Sequence, residues 1–532
     1  MSVITPYRPE VRPGRDSFAQ LLRAEWTKFR TVRGWVIGMV VGALLIIGLG
    51  ALSGSNSTCS IAPVTPQNPN PQPKPCPAPP TGPDGEWVSD SFYFVHQPFS
   101  GDGSLTARVT SLTGRYSPDG GKAAAQTSLA GMKSGVQPWS KAGVIIKAST
   151  AQGSAYAAMM VTGRHGVRMQ WNFTHDIAGS AGRVTEASPR WLRLTRSGDI
   201  IKGYDSADGR HWTLVGTAAL TDLPGTVQAG VFAATPVYSV TSTSLGGSST
   251  TGGPALATAA FDDVSRIGNW PTGHWKGQAI ERPADAALPA SLQGFRQAGN
   301  RLTVSGSGDI GPADAGTALQ SALAGAFAGL IAVVVIGAMF VTAEYRRGLI
   351  RTTFTASPRR GKVLAAKAIV LGGITFVTGL IAVSITIPVS EHLLHQNGNP
   401  IFPLSGPELL RIAGGTAALL AVAAVLALAV GTLLRRSAAA VTAVIAGIVL
   451  PYLLAVLSGV LPLGAEEWLV RVTPAAGFAI QQILPAYPQV DTVYTPADGY
   501  FPLSPWAGFA VLCAWAAVAL ALAAYVLRRR DA

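Results

Sequence analysis

The sequence predicts a multi-domain membrane protein with two unlike parts, a six-helix transmembrane domain and an all-β sandwich outside the membrane. Three observations predict this class. Six uncharged apolar stretches are long enough to span a bilayer, residues 54–317 separate the first from the other five, and Lys and Arg are concentrated on one side of them. Crossing the hydrocarbon takes roughly 20 apolar residues, and a charge at its centre is costly.

The six predicted spans contain no Asp, Glu, Lys or Arg. They are residues 35–53, 318–343, 368–389, 412–434, 438–461 and 505–527. Residues 223–261 also lack charge, but Gly, Ser, Thr and Pro interrupt their apolar residues. We therefore interpret that stretch as loop and strand.

The basic residues predict the orientation, because short loops rich in Lys and Arg stay in the cytoplasm. Residues 1–33 carry seven Lys or Arg, and residues 344–367 carry seven more. The loops 390–410 and 462–504 carry only Arg471. We therefore expect a multi-pass protein of the cell membrane, with both termini in the cytoplasm and residues 54–317 extracellular. That insertion has 20 basic and 17 acidic residues, a balance that argues against a nucleic acid partner.

The cytoplasmic N-terminus, residues 1–34, contains a predicted amphipathic helix at residues 18–33 that suits the membrane interface. The residues assigned to this interface helix are Leu22, Glu25, Trp26, Lys28 and Arg30. A basic region followed by an apolar run could also be a cleaved secretory signal. The basic region here is longer than that of a signal peptide, so we favour an uncleaved anchor.

The external linker, residues 54–85, is rich in Pro and is expected to be extended. Cys59 and Cys76 bracket most of its Pro-rich tract, and outside the cell they could form a disulfide or remain two free thiols. Cys513 lies in the last span, where small apolar packing is its expected role. No Cys/His spacing typical of a zinc site occurs, so no metal site is predicted.

Residues 86–268 predict an antiparallel sandwich, because short β-rich runs alternate with turn signals. Residues 191–196, 200–204 and 212–215 are three such runs, separated by Ser-Gly-Asp and Ala-Asp-Gly turns. The other predicted strands are residues 91–94, 105–112, 142–148, 157–162, 167–172 and 227–232. The membrane-proximal segment 269–317 is expected to add one strand near residues 300–310 before the chain returns to the membrane.

Three phrases, at residues 141–147, 191–194 and 204–212, resemble the jelly-roll sandwich of the concanavalin-A-like lectin/glucanase superfamily. The resemblance implies that exposed aromatic side chains on the concave sheet bind a glycan, although such residues also fill sandwich cores. The candidates are Trp139, Trp171, Tyr204 and Trp212. The Glu-x-Asp-x-x-Glu arrangement of the hydrolases in that superfamily does not occur, which argues against glycoside hydrolysis.

The membrane half resembles ABC transporter permeases of the type-2 exporter class, as found in actinobacteria. The resemblance rests on Leu22, Glu25 and Lys28 before the first span, on Glu-Tyr-Arg-x-Gly at 344–348, and on Pro-Arg-Arg at 358–360. It implies that the loop after the second span docks on an ATPase subunit and that two permease halves form a homodimer or heterodimer. Ordinary members of this class have only a short first external loop. The substrates of those members are therefore no guide to the substrate of this chain.

The loop 344–367 is therefore the predicted coupling loop. Its candidate residues are Glu344, Arg346, Arg347, Gly348, Arg351, Pro358, Arg359 and Arg360. Glu344 is expected to pair with Arg347 or Arg351. The alternative is a basic loop that only sets the orientation.

No phosphate-binding loop of the Gly-x-x-x-x-Gly-Lys-Ser/Thr type occurs. The chain is therefore not expected to be an enzyme or to bind a cofactor, and ATP and Mg are expected on a partner ATPase. The sequence predicts the permease subunit of an ATP-driven exporter, in contact with membrane lipids and with a possible extracellular glycan or protein ligand. The alternative is a membrane-anchored glycan sensor or adhesin without transport.

Overall fold

A computed structural model of the chain describes residues 17–61, 72, 74–118, 131–244, 247–281, 288, 290–313, 319–349, 359–456, 463–490, 496 and 499–529. The predicted Arg351 and Pro358 lie outside these residues. The α-helices are α1 (Phe18–Thr31), α2 (Arg33–Asn56), α3 (Ala324–Arg346), α4 (Arg360–Gln396), α5 (Gly406–Leu434), α6 (Ser437–Val456), α7 (Leu463–Val472) and α8 (Pro505–Arg529). A 3-10 helix at Pro474–Gln481 follows α7.

The strands lie between α2 and α3. They are β1 (Ser60–Ile61), β2 (Lys74–Pro75), β3 (Val88–Asp90), β4 (Phe92–Tyr116), β5 (Lys133–Ser134), β6 (Lys141–Lys147), β7 (Tyr156–Thr162), β8 (Val167–Trp171), β9 (His175–Ala178), β10 (Arg190–Ser197), β11 (Ile200–Ser206), β12 (Thr213–Ala219), β13 (Thr226–Ala234), β14 (Tyr238–Ser244), β15 (Gly247–Gly253), β16 (Ala255–Asn269), β17 (Lys276–Ile280), β18 (Gly294–Ala298), β19 (Arg301–Gly306) and β20 (Ile310–Pro312).

Six described helices are long and apolar enough to cross a membrane, namely α2, α3, α4, α5, α6 and α8. The predicted fold class, a transmembrane helical domain joined to an antiparallel sandwich, is therefore confirmed. Helix α5 packs against α3, α4, α6 and α8, and most of its length is buried. Helices α3 and α5 approach closely at Gly337, where an added Cβ would collide with the carbonyl oxygen of Ala424. Small residues allow such contact, which compensates for the missing hydrophobic drive between helices in lipid.

Strand β4 organises the sandwich. Its first part pairs with β13 and β17, and its second part pairs with β10 and β16, all antiparallel. The core contains alternate residues of these strands, such as Leu105, Leu192, Val231 and Phe261, which are fully buried. The turn-like Gly101 and Gly103 have positive φ angles within this long strand, so it can bend where its partners change.

Two details of the strand prediction differ from the structure. Residues 92–94 and 105–112 belong to the single strand β4, since bends within it do not interrupt its pairing, and Ser91 precedes this strand. The sandwich also extends beyond the predicted boundary at residue 268. Strands β17, β19 and β20 pair with β4, β16 and β3, respectively, and β18 pairs with β19, so the membrane-proximal segment contributes more than one strand.

The linker is attached to the end of α4. A disulfide joins Cys59 and Cys76, the pair singled out by the sequence. The amides of these cysteines donate to the carbonyls of Asn397 and Gly398, each at 3.1 Å. The side chain of Asn397 donates to the carbonyls of Gly54 and Ser55 at the end of α2. These contacts hold the ends of α2 and α4 together on the sandwich side of the bundle.

Candidate functional site

Four charged side chains meet at the end of the bundle away from the sandwich. We call Glu25, Lys28, Glu344 and Lys367 the charge cluster. The ammonium of Lys367 donates to Glu25 Oε2 at 2.8 Å and to Glu344 Oε1 at 2.6 Å. The ammonium of Lys28 donates to Glu25 Oε1 at 2.9 Å and to Glu344 Oε1 at 3.2 Å. Each lysine therefore bridges both carboxylates.

The charge cluster connects three helices that are far apart in the sequence. Glu25 and Lys28 lie three residues apart on α1, Glu344 lies near the end of α3, and Lys367 lies in the second turn of α4. Helices α3 and α4 flank residues 347–359. The cluster therefore fixes both sides of this connection to α1.

The cluster is buried and electrically balanced. The side chains of Lys367 and Glu25 are only 1% and 3% exposed, whereas that of Lys28 is 38% exposed. Two positive and two negative charges offset one another, which limits the cost of burial. Burial lowers the pKa of Lys28, but hydrogen bonds and attraction from Glu25 and Glu344 outweigh this effect and raise the pKa above its usual value. Lys28 therefore stays protonated at neutral pH.

Aromatic packing sets the position of α1. The helix ends at Val32, whose extended backbone turns the chain into α2. Phe29 is buried, with its ring centroid 6.0 Å from that of Trp35 and 5.9 Å from that of Phe340. The ammonium of Lys367 lies 4.8 Å from the Phe340 ring centroid. Ring and charge contacts thus reinforce the same junction.

The structure brings together three of the predicted residues, Glu25, Lys28 and Glu344. It corrects the expected pairing of Glu344 within the described residues, since its partners are Lys28 and Lys367 and not Arg347. Arg347 follows the last residue of α3 directly and is exposed, whereas α4 places Lys367 beside the Glu344 carboxylate. In the sequence, Lys367 stands one residue before a predicted span, a position that predicts only a charge that sets the orientation.

The interface helix differs from prediction in the face that it buries. Glu25 and Phe29 are its buried residues, and Leu22 is half-buried. Trp26, expected on the apolar face, is 50% exposed, and Arg30 is also exposed. Because α1 packs on α4 through the charge cluster, a carboxylate takes the inward position and Trp26 is left facing outward.

The other described coupling-loop candidates lie at the ends of α3 and α4. Arg346, Arg347 and Gly348 are exposed, and Gly348 has a φ of 71°, a conformation that favours glycine. Arg359 precedes α4. The guanidinium of Arg360 donates to the carbonyl of Leu527 at 2.9 Å, which ties α4 to α8.

Two of the four predicted glycan contacts, Trp139 and Trp171, pack against other side chains of the sandwich. Trp139 is only 4% exposed, and its ring stacks on His165 with centroids 4.0 Å apart. This burial contradicts its prediction as an exposed platform, because the ring belongs to the packed turn before β6. Trp171 is half-buried against the sandwich core and stacks on His175.

Tyr204 lies in β11 and Trp212 directly before β12, on the outer face of the sheet, and both are half-buried. Between them lies Arg193, which is paired across the strands with Tyr204. The guanidinium carbon of Arg193 is 3.8 Å from the Trp212 ring centroid, and its Nε donates to Thr106. The same face includes Trp191, for which the sequence predicts only a place in a strand. We call Trp191, Arg193, Tyr204 and Trp212 the aromatic face.

No group of three or more His, Cys, Asp or Glu among the described residues is arranged to hold a metal ion. Asp102 and Asp208 instead accept backbone amides in turns, as their sequence context suggests. Asp262 forms an ion pair with Arg108.

Comparison with known proteins gives one family match. Residues 278–532 match the model of the ABC-2 family transporter protein. Together with the six apolar helices, this match supports a multi-pass membrane permease of an ABC transporter. A search of curated proteins finds no match.

Solved structures give only weak similarity. A functionally unknown protein from Saccharomyces cerevisiae is 14% identical, with 35% of this chain and 77% of that chain covered at a TM-score of 0.20. Scytalido-glutamic peptidase with a transition state analog inhibitor is 10% identical, with coverages of 41% and 98% and a TM-score of 0.25. Scores this low support no inference about fold or activity.

Proposed function

We propose that this chain is the permease subunit of an ATP-driven exporter, with ATP and Mg bound by a separate cytoplasmic ATPase subunit. The observation that carries the proposal is the charge cluster, which joins α1 to both helices that flank the predicted coupling loop. The family match over residues 278–532 supports the same class. The excess of Lys and Arg at this end of the bundle favours a cytoplasmic position.

The charge cluster suits the transmission of movement. A force applied to the segment between α3 and α4 reaches three helices at once, because Lys367 and Lys28 hold both carboxylates. Helices joined in this way tilt as a unit, which is the kind of rigid-body motion that alternates access across a membrane. A dimer of such halves, with the same or a related chain, would enclose the pathway.

The proposal is tested by co-purification of a soluble ATPase subunit with the full chain. We expect Arg346→Ala, Arg347→Ala and Arg351→Ala, combined in one variant, to abolish the association. The control is Arg471→Ala, since Arg471 lies in the predicted extracellular loop 462–504 and pairs with Glu467. Unchanged association in the triple variant would show that the loop only sets the orientation.

A second proposal concerns the sandwich, whose aromatic face supports binding of an extracellular glycan. Sugar rings stack on exposed indole and phenol rings, and a guanidinium supplies hydrogen bonds. Glycan-array binding by the full chain should fall at least about tenfold in Trp212→Ala, by loss of stacking. The exposed Ile267→Ala variant of the same domain should bind normally. Glycan binding without any associated ATPase would favour a sensor or adhesin.

A further inference from the structure

A cavity of about 530 Å³ lies between the end of α3 and the turn that joins α5 to α6. Its lining includes three arginines, Arg346 from α3 and Arg435 and Arg436 from the turn. It is separate from the charge cluster, none of whose four residues lines it.

The cavity has a strong positive charge that the protein does not balance. No Asp or Glu lines it, and none of the three guanidinium groups has an ion-pair partner within the described part of the chain. Arg435 Nε is buried and donates to no acceptor among those residues. A buried donor without an acceptor is costly, so an anionic ligand in the cavity would be stabilised.

The backbone at Arg435 adds a second indication. Arg435 follows α5 with a φ of 56°, in the left-handed conformation that usually favours glycine or asparagine. An arginine at this position has a conformational cost. Its guanidinium carbon lies 5.1 Å from the ring centroid of Tyr345, which directs it along the cavity wall.

One part of the cavity wall is apolar and another part is basic. Met339 lines it about two helical turns before Arg346 on α3, and Ala343 lies between them. Met339 is 40% exposed on a helix that is apolar enough to cross the membrane. The apolar part therefore lies at the depth of acyl chains, and the arginines lie where lipid phosphates are found.

We propose that this cavity binds the phosphate headgroup of an anionic phospholipid. The phosphate accepts hydrogen bonds from Arg346, Arg435 and Arg436, and the glycerol and upper acyl chain contact Met339 and Ala343. Continuity with the apolar helix surface favours a lipid over free phosphate, which would leave the apolar wall uncovered. The inference requires only that the helices span a membrane, and it does not depend on ATP-driven transport.

The test is native mass spectrometry of the full chain in an uncharged detergent, with phosphatidylglycerol, phosphatidylcholine or inorganic phosphate added. We expect tight binding of phosphatidylglycerol alone. The combined Arg346→Gln, Arg435→Gln and Arg436→Gln variant should bind it at least about tenfold more weakly. The control combines Arg23→Gln, Arg33→Gln and Arg528→Gln, which removes the same charge from exposed positions at the same end of the bundle.

A second variant tests the cavity without a change of charge. Ala438→Trp fills the cavity from the start of α6 and should also abolish phosphatidylglycerol binding. Three results would overturn the proposal: equal losses in both arginine variants, normal binding in Ala438→Trp, or equally tight binding of inorganic phosphate. Loss of ATPase association with unchanged lipid binding in the cavity variants would assign the cavity to a protein partner instead.

Discussion

Buried lysines occur in both halves of the molecule, but they are used differently. In the sandwich, Lys147 donates to one carboxylate, Asp90, at 2.7 Å, and both side chains are completely buried. In the helical domain, Lys367 is shared by two carboxylates, and the neighbouring Lys28 leaves one side of the charge cluster open to solvent.

The sandwich pair holds β3 against β6 within one closed core. Gly153 N donates to the same oxygen of Asp90, and Lys147 also donates to the carbonyl of Ser154. Burial raises the pKa of Asp90 and lowers that of Lys147, so each group depends on the other to remain charged. The charge cluster has two cations for two anions and connects separate helices. The first site therefore holds two strands within one core, whereas the second joins three helices of the bundle.

The largest effect is expected for Lys147→Met in the sandwich. Removing the ammonium leaves Asp90 buried without its partner, which should reduce stability by about 3 to 5 kcal/mol. Limited proteolysis of the full chain during heating measures the loss. The Asp90→Asn, Lys147→Met double variant should recover part of it, and equal stability of the single variant and the unaltered protein would remove the proposed role of this pair.

A smaller loss is expected for Lys367→Met in the charge cluster, about 2 to 3 kcal/mol, because Lys28 still reaches both carboxylates. The same proteolysis assay, applied to cleavage within the helical domain, measures this loss of stability. Adding Glu344→Gln restores the charge balance and should recover stability. If Glu344→Gln alone left ATPase association and transport normal, the charge cluster would be structural only.

Loss of the disulfide should cost about 2 kcal/mol, because the closed loop is short and the asparagine contacts remain. Hydrogen exchange of the Cys59→Ser, Cys76→Ser variant should accelerate around the linker and leave the charge cluster unchanged. Cys513→Ser serves as the matched control. Faster exchange at α1 would show that the two ends of the bundle are coupled.

The smallest effect is expected for an exposed pair, Asp208 and His211, with 2.6 Å between Oδ2 and Nδ1. The hydrogen bond and the attraction of Asp208 raise the pKa of His211 above its usual value. The pair therefore contributes stability below the usual histidine pKa, and this contribution is lost as pH rises through the raised one. An NMR titration should show the raised pKa, and Asp208→Asn should lower it. If the pKa of His211 were the same in Asp208→Asn as in the unaltered protein, Asp208 would not be the cause of the raised pKa.

The six spans and the sandwich class were predictable because both rest on local patterns, hydropathy over a span and alternation over a strand. Pairing was harder to predict. The partner of Glu344 depends on where α4 returns, and the burial of Trp139 depends on the packing of the turn before β6. Neither is encoded by the spacing of neighbouring residues.

By itself, the sequence determined which segments can enter a membrane, which end carries the excess positive charge, and which cysteines can meet. Only the tertiary structure decided that Lys367 completes the charge cluster, that Trp191 and Arg193 share a face with Tyr204 and Trp212, and that three arginines surround one cavity. Hydrophobicity and charge are properties of each segment, whereas a shared site depends on distances between segments that only packing brings together.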